Sequence, residues 1–473
     1  MKIFFYAFAN TPYIFNEVIK LSQKKKHDIE WGMIYPRAVY KDTYPSVVDK
    51  NNVLYLYENF NKIYSEISEK DISFNDEKWV DNIHTILESS KFGYKVEKSE
   101  KQLKVVYTIY QIYKEFLIKS EPNYIVFPDI ETVNGVLLLN ICRELDIETM
   151  VTAHARQFSV SFFSPDYKET LPTYIGNYND NDKKQAELFL DKKIEKAIIG
   201  NAREKQRIEI CPITNIFGRF INSIKTYFKY ESKGVFDTNL YLRIRLNFEK
   251  YFELWREWFF NNYQIRFFHI KTEQDFIPEN YIVFLLQVTP ESSINTFERF
   301  FIEQERVIDL VRLNMPSNMM LLVKEHPAMR GMRSSRWYKK MHHKSGVQLV
   351  THRVDTQLMV KNSKLVITVT GSVGIECYHM DKSVLMFGKN FISHFVDNVD
   401  SFTLLKKHIA ELIYKKKFDS YEEKKIKIAQ LYNVGYDFFI HEPFHFSKVM
   451  EVSNIEIFLE AILNHIERNS KNV

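Results

Sequence analysis

Leu365-Val366-Ile367-Thr368-Val369-Thr370-Gly371-Ser372-Val373-Gly374-Ile375-Glu376 is the stretch on which the reading of this chain turns. An apolar run with no polar alternation fits a strand covered on both faces, as in a parallel sheet flanked by helices. The Gly/Ser/Thr run then makes a tight turn, and a helix opens near Val373. Backbone N–H groups at such a helix start, with the Thr370 and Ser372 hydroxyls, offer donors to phosphate oxygens. Glycines there let a ligand come close to the backbone. The spacing is neither the six-residue dinucleotide fingerprint nor a P-loop, because the Lys-Ser/Thr ending is missing. Taken by itself, the turn fits a bare strand-to-helix connection equally well.

Working outward, Leu321-Leu322-Val323-Lys324-Glu325-His326-Pro327 reads as a second buried strand, ending in charged residues and stopped by proline. Ligands of open parallel sheets sit at such strand ends. His326 can donate to a phosphate and Lys324 adds positive charge. We expect this strand and the one ending in the glycine turn to be neighbours. Around them the alternation continues: strand Tyr281–Gln287, helix Asn295–Leu313, strand Met319–Lys324, strand Leu365–Val369 and strand Val384–Phe387. Strands in the first half are Lys2–Phe8, Ile29–Tyr35, Tyr124–Phe127 and Glu148–Ala153. Helices follow Asn10-Thr11-Pro12, an ordinary helix start, and cover Val133–Leu145. Strand–helix alternation in both halves predicts an α/β chain with two doubly wound sheets.

The bulk properties agree. A length of 473 residues exceeds one ordinary core and points to two domains, and 45% hydrophobic residues exclude disorder. The formal charge of +5 is spread along the chain, which speaks against a nucleic-acid binder. Cys142, Cys211 and Cys377 have no paired spacing, so neither a disulfide framework nor a zinc site is expected, and a reducing cytoplasm fits. No apolar run reaches the ~18 residues of a membrane span. Ile213–Phe228 and Tyr241–Phe268 form two stripes at helical spacing with interleaved Arg and Lys. They read either as core helices linking the domains or as an interfacial surface facing a membrane, and spacing does not choose.

Four segments carry a resemblance: Gln287-Val288-Thr289-Pro290-Glu291-Ser292, Val323–Pro327, Thr370–Glu376 and Asp381-Lys382-Ser383-Val384-Leu385-Met386-Phe387-Gly388. In that order they resemble the capsule polysaccharide biosynthesis family, which includes Kdo transferases and other surface-glycan transferases. The resemblance is strongest over 280–395. Cys377 stands where the family has a small residue, and Asp381-Lys382-Ser383 where it has Gly-Lys-Pro.

The resemblance implies a GT-B-like fold, with two Rossmann-like domains facing a cleft, a helical insertion or linker and a helical C-terminus. The domains would be 1–200 for the acceptor, 201–280 as linker, 281–440 for the donor, and 441–473 as a helix packing back on the body. The implied function is transfer of a sugar to a surface glycan, by an inverting mechanism without an obligatory metal or other cofactor. The donor would be a nucleotide sugar, with a CMP-linked Kdo or other ulosonic acid favoured and a UDP-sugar open. A polyol-phosphate transferase of teichoic-acid type and a non-catalytic assembly or export partner remain alternatives. Expected partners are the nucleotide sugar and a glycan or lipid-linked acceptor, at the cytoplasmic face of the inner membrane, with no nucleic acid.

By the same resemblance His326 contacts the donor phosphate and Thr370, Gly371, Ser372, Val373 and Gly374 hold the nucleotide. Lys324 and Pro327 stand beside His326. Glu376 either reaches a ribose hydroxyl or is a paired helix carboxylate. Gln287 and Glu291 line the donor side, and Ser292 and Ser293 suit helix caps. An inverting transferase also needs a base for the acceptor hydroxyl. The candidates at strand ends are Asp129, Glu131 and His154, although Asp129 equally suits an N-cap for the Val133 helix and His154 a plain loop. Asp180-Asn181-Asp182 imitates a metal-binding pair but sits where capping explains it better. His342, His343 and His352 are too scattered for a ligand set.

Overall fold

The computed structural model describes residues 1–36, 47–58, 60–75, 77–88, 99–173, 175–191, 221, 225, 249–289, 291–441 and 446–471. The Ile213–Phe228 stripe, save Ile221 and Lys225, the Tyr241–Phe268 stripe before Glu249, Cys211 and Pro290 lie outside them. Twelve strands among the described residues form two six-stranded sheets. The first contains β1 (Lys2–Tyr6), β2 (Glu30–Tyr35), β3 (Val53–Tyr55), β4 (Tyr124–Phe127), β5 (Glu148–Ala155) and β6 (Val160–Ser164). The second contains β7 (Tyr281–Leu285), β8 (Met320–Lys324), β9 (Val347–Val350), β10 (Leu365–Thr368), β11 (Val384–Met386) and β12 (Asp397–Asn398).

Strand orders are β3-β2-β1-β4-β5-β6 and β12-β11-β10-β7-β8-β9. Counted from the first strand of each sheet, both read 3-2-1-4-5-6, the doubly wound Rossmann order. All pairings are parallel except β5–β6. Two Rossmann-like units of this kind make the architecture GT-B-like. The chain divides into one unit holding Met1–Gln185 and Ala429–Val473, and another holding Phe248–Ile428 with a short piece beginning at Ala186.

In the first unit the apolar face of β1 packs on α1 (Pro12–Lys24): Phe5 stacks on Phe15 at 4.3 Å and on Trp31 at 5.2 Å between ring centroids. Thr11 stands at the helix start, and its hydroxyl folds back to donate to the Phe8 carbonyl at 2.7 Å. The C-terminal helix, Val452–Lys471, returns to this core through Phe458, Leu459, Ala461 and Ile462. In the second unit, strands β7, β8 and β10 pack with Phe260, Phe268, Phe301, Ile308 and Tyr338 into one core.

Several sequence expectations change here. Strands β3, β6, β9 and β12 add to those expected, and β3, β9 and β12 have only two to four residues each. The Asn295–Leu313 helix is interrupted: Ser292–Asn295 is a single turn, Arg299–Phe301 a 3-10 turn, and Glu305–Asn314 the helix proper. Within α4 (Glu249–Asn262) Phe260 is buried, while Trp255 and Trp258 are 53% and 62% exposed. That aromatic stripe is therefore neither wholly core nor wholly surface. No described helix is long and apolar enough to cross a membrane.

Candidate active site

In a doubly wound sheet the crevice opens at the C-terminal edge, where the strand order reverses. For the second sheet that point lies between β7 and β10, and Gln287 and Thr370 follow those strands. The amide of Gln304 first pins the Gln287 backbone: its Oε1 accepts from Gln287 N–H at 2.8 Å and its Nε2 donates to the Gln287 carbonyl at 2.9 Å. Gln287 then spans the gap with its side chain. Oε1 accepts from the Thr370 N–H and Nε2 donates to the Thr370 hydroxyl, both at 3.3 Å. The Thr370 hydroxyl donates to the Ser293 carbonyl at 3.1 Å, and Asn390 Nδ2 donates to the Thr370 carbonyl at 3.2 Å.

The glycines of the turn serve packing. A Cβ on Gly371 would lie 2.5 Å from the Thr368 hydroxyl, which itself accepts from Gly371 N–H at 2.9 Å. A Cβ on Gly374 would lie 2.7 Å from Ile392 Cγ2. At Gly374 contact within the protein thus leaves no room for a side chain. Val373 and Gly374 are buried and Ser372 is exposed at the mouth of the turn. Glu376 lies in the short helix Val373–His379 and is half-buried. The thiol of Cys377, next to it, is pushed up by burial.

Strand β7 stands between β8 and β10, so His326 and Gly371 are not on neighbouring strands as expected. Two strand spacings put them roughly 10 Å apart along one edge. Gln287 connects them: its carbonyl accepts from Arg333 Nη2 at 3.0 Å, and Arg333 ion-pairs Glu325 at 3.2 Å. Glu325 is 1% exposed, also takes the Tyr338 hydroxyl at 2.6 Å, and accepts from the His326 N–H at 2.8 Å. Burial, then the Glu325 charge, raises the Tyr338 hydroxyl well above its ordinary pKa. This network positions His326, whose Nδ1 accepts from Ala328 N–H at 3.1 Å. The ring proton of the neutral imidazole is therefore on Nε2. Pro327 opens the 3-10 turn that supplies Ala328.

The surroundings are cationic. Lys324, 3% exposed, donates to the His352 carbonyl at 3.3 Å. Burial, then Arg330, Arg353 and Lys324, lowers His352 to about 4. Gly331, at φ +73°, packs on Arg256 of α4, while Glu257 ion-pairs Arg330 and Asn261 accepts from Arg353 at 2.8 Å. Glu291 is occupied locally: its N–H donates to Asn295 Oδ1 at 3.1 Å and its carboxylate accepts from the Ser293 hydroxyl at 3.4 Å. That hydroxyl therefore does not act as the expected helix cap.

In the first sheet the order reverses between β1 and β4, and Asp129 follows β4. It is not the N-cap of α2 (Val133–Glu144): Thr132 caps it by accepting from Gly135 N–H at 3.4 Å. Burial, then the Glu131 and Glu169 carboxylates, raises Asp129 well above the usual carboxylate range, and a hydrogen bond with Glu131 adds to this. Glu169, held at φ +58°, was not legible in the sequence. His154, on the adjacent β5, bonds through Nδ1 to the Ser161 hydroxyl at 2.9 Å. Burial, then Arg156 and His441, lowers it to about 4. Asn179 caps α3 (Asp180–Leu190), its Oδ1 accepting from Asp182 N–H at 3.0 Å, while the Asp182 carboxylate accepts from Asn179 N–H at 2.9 Å and from Asn433 Nδ2 at 3.0 Å.

Residues 167–395 match the family model described as capsule polysaccharide biosynthesis protein. This stretch, just under half of the chain, is similar to that family. It includes every site residue of the second unit and excludes Asp129, Glu131 and His154. Solved structures similar to the chain include the UDP-GlcNAc 2-epimerase of Methanocaldococcus jannaschii, 13% identical over 92% of this chain and 100% of that one, with a TM-score of 0.24. A β-Kdo 2,7 transferase, KpsC of Thermosulfurimonas dismutans, is 10% identical over 75% of this chain and 89% of that one, with a TM-score of 0.35. A Rickettsia africae glycosyltransferase is 10% identical over 100% and 99%, with a TM-score of 0.25. The assignment of fold rests on strand order, not on these scores. No curated protein matches the chain.

Proposed function

We propose that this chain is a nucleotide-sugar-dependent glycosyltransferase of capsule-type surface polysaccharide assembly. The observation that carries the reading is Gln287, which ties the Thr370 turn to the Glu325–His326 turn at the strand-order reversal of the second sheet. In this reading the turn holds the nucleotide, with Ser372 at its mouth, and His326 Nε2–H donates to the departing phosphate. The positive field of Lys324, Arg330 and Arg353 stabilises the charge that develops there. Direct displacement needs no metal: the acceptor oxygen bonds to the anomeric carbon as the bond from that carbon to the phosphate oxygen breaks. The nucleotide leaves with the electron pair, and the acceptor proton passes to Asp129.

A raised carboxyl pKa suits that last role, because a base works best when its pKa approaches the working pH. A CMP-linked acidic sugar is the favoured donor and a glycan or lipid-linked glycan the acceptor, at the cytoplasmic face of a membrane. Titration with CMP, UDP and CDP, followed by thermal unfolding, tests the reading. Saturating the correct nucleotide at 100 times its Kd stabilises by about 2.7 kcal/mol, and His326→Ala removes most of that gain. If none of the three stabilises the protein, the enzyme reading falls and a non-catalytic assembly partner replaces it. Transfer of a polyol phosphate rather than a sugar in a turnover assay would favour the teichoic-acid-type alternative.

A further inference from the structure

His154 is held by a residue that the reading above does not use. It is the seventh residue of β5 and faces Ser161 across the antiparallel β5–β6 pair. Ser161 is 4% exposed, and its hydroxyl lies 2.9 Å from His154 Nδ1 and 2.6 Å from the Phe438 carbonyl. A carbonyl only accepts, so the single hydroxyl proton goes to Phe438, and the oxygen is left to accept from His154. Nδ1 therefore carries the ring proton and Nε2 keeps its lone pair.

Ser161 itself cannot turn away. Its N–H donates to the Tyr436 carbonyl at 2.8 Å, and Tyr436 N–H donates back to its carbonyl at 2.7 Å. The Phe439 ring stands roughly perpendicular to the imidazole at 4.6 Å. A segment 277 positions away in sequence thus fixes the tautomer and the ring plane. Burial, then Arg156 and His441, disfavours imidazolium; a hydrogen bond with the Val160 backbone and the Asp437 charge favour it, and the balance lowers His154 to about 4, so the ring is neutral at pH 7. His154 is only half-buried.

We propose that Ser161 is a positioning residue: it sets His154 so that Nε2 accepts a hydrogen bond from a sugar hydroxyl of the acceptor. The inference rests on reading the first unit as the acceptor domain. Since Phe127 is in register with Val151, Asp129, just beyond β4, and His154, near the end of β5, stand on neighbouring strands at one edge. His154 is then placed to orient one hydroxyl while Asp129 takes the proton of another.

The test is nitrogen NMR of the full chain labelled at histidine, titrated with methyl α-D-glucopyranoside as a hydroxyl probe. The wild type should show an Nδ1–H tautomer at His154 and a saturable shift of Nε2. Ser161→Ala should release the tautomer into a mixture and weaken the Nε2 response at least ~10-fold, the scale of one hydrogen bond. Ser161→Thr, which keeps the hydroxyl, should restore both. CMP, UDP and CDP binding should be unchanged in all three proteins. An Nε2–H tautomer in the wild type, an unmoved Nε2 signal, or a Ser161→Ala protein with unaltered tautomer would each overturn the proposal. Failure of the nucleotide-sugar reading would show instead as loss of nucleotide binding in the wild type, with the tautomer unaffected.

Discussion

The two sheets share a strand order and differ in what they carry at the C-terminal edge. After β4 the first sheet presents Asp129, whose pKa is raised by burial and then by the Glu131 and Glu169 charges. At and beyond the ends of β8 and β9 the second presents Lys324, Arg330 and Arg353, whose charges add to burial in lowering His352. One scaffold thus supports a carboxylate cluster that holds protons and a cationic cluster that suits anions. The strand order decides where chemistry can sit, and the loop residues decide its sign.

Asp129→Asn breaks the comparison most severely. Turnover should fall by about 10²–10⁴, the usual range for a positioned base, with nucleotide binding unchanged. The same substitution should raise the melting temperature at pH 7. A carboxyl whose folded pKa exceeds its unfolded value binds more protons in the folded state, so stability falls as pH rises between those values. Removing the carboxyl removes that loss. A melting temperature that drops at pH 7 would contradict the burial of Asp129.

On the cationic side, Glu325→Gln leaves Arg333 10% exposed without its charge partner. Unfolding in urea should show a loss of about 3–5 kcal/mol, as for a broken buried pair. Gln287→Ala removes two neutral hydrogen bonds to Thr370 and should cost about 1–3 kcal/mol, with a weaker nucleotide response in the same thermal assay. A full nucleotide response in this variant would detach the Thr370 turn from the rest of the site. The smallest effect is a pH trend. His154 and His352 bind protons more weakly when folded, so acidification from about 6.5 towards about 4 should lower the melting temperature progressively. His154→Gln should flatten part of that slope.

Much of the site was legible because its residues are adjacent in sequence. Lys324, His326 and Pro327 form one strand end, and Thr370–Gly374 another, so each reads as a motif before any contact is known. Asp129 was legible as a strand-end acid, yet the choice between base and helix cap was not. Thr132 is the cap because its hydroxyl, not the Asp129 carboxylate, accepts the Gly135 N–H. Gln304, Arg333, Tyr338 and Glu169 carry no local signal, since each acts on a partner from another element. The unforeseen strands β3, β9 and β12 have two to four residues each and exist through pairing with longer neighbours.

By itself the sequence determined the alternation of buried strands and helices, and with it the doubly wound class. The reason is local: apolar runs between turn residues bury themselves on a sheet wherever that sheet lies. Only the tertiary structure decided that β7 separates β8 from β10, and that Gln287 bridges them. It alone brought Phe438 to Ser161 and so set the proton on His154. Those outcomes depend on closing loops of tens to hundreds of residues, which no local pattern encodes.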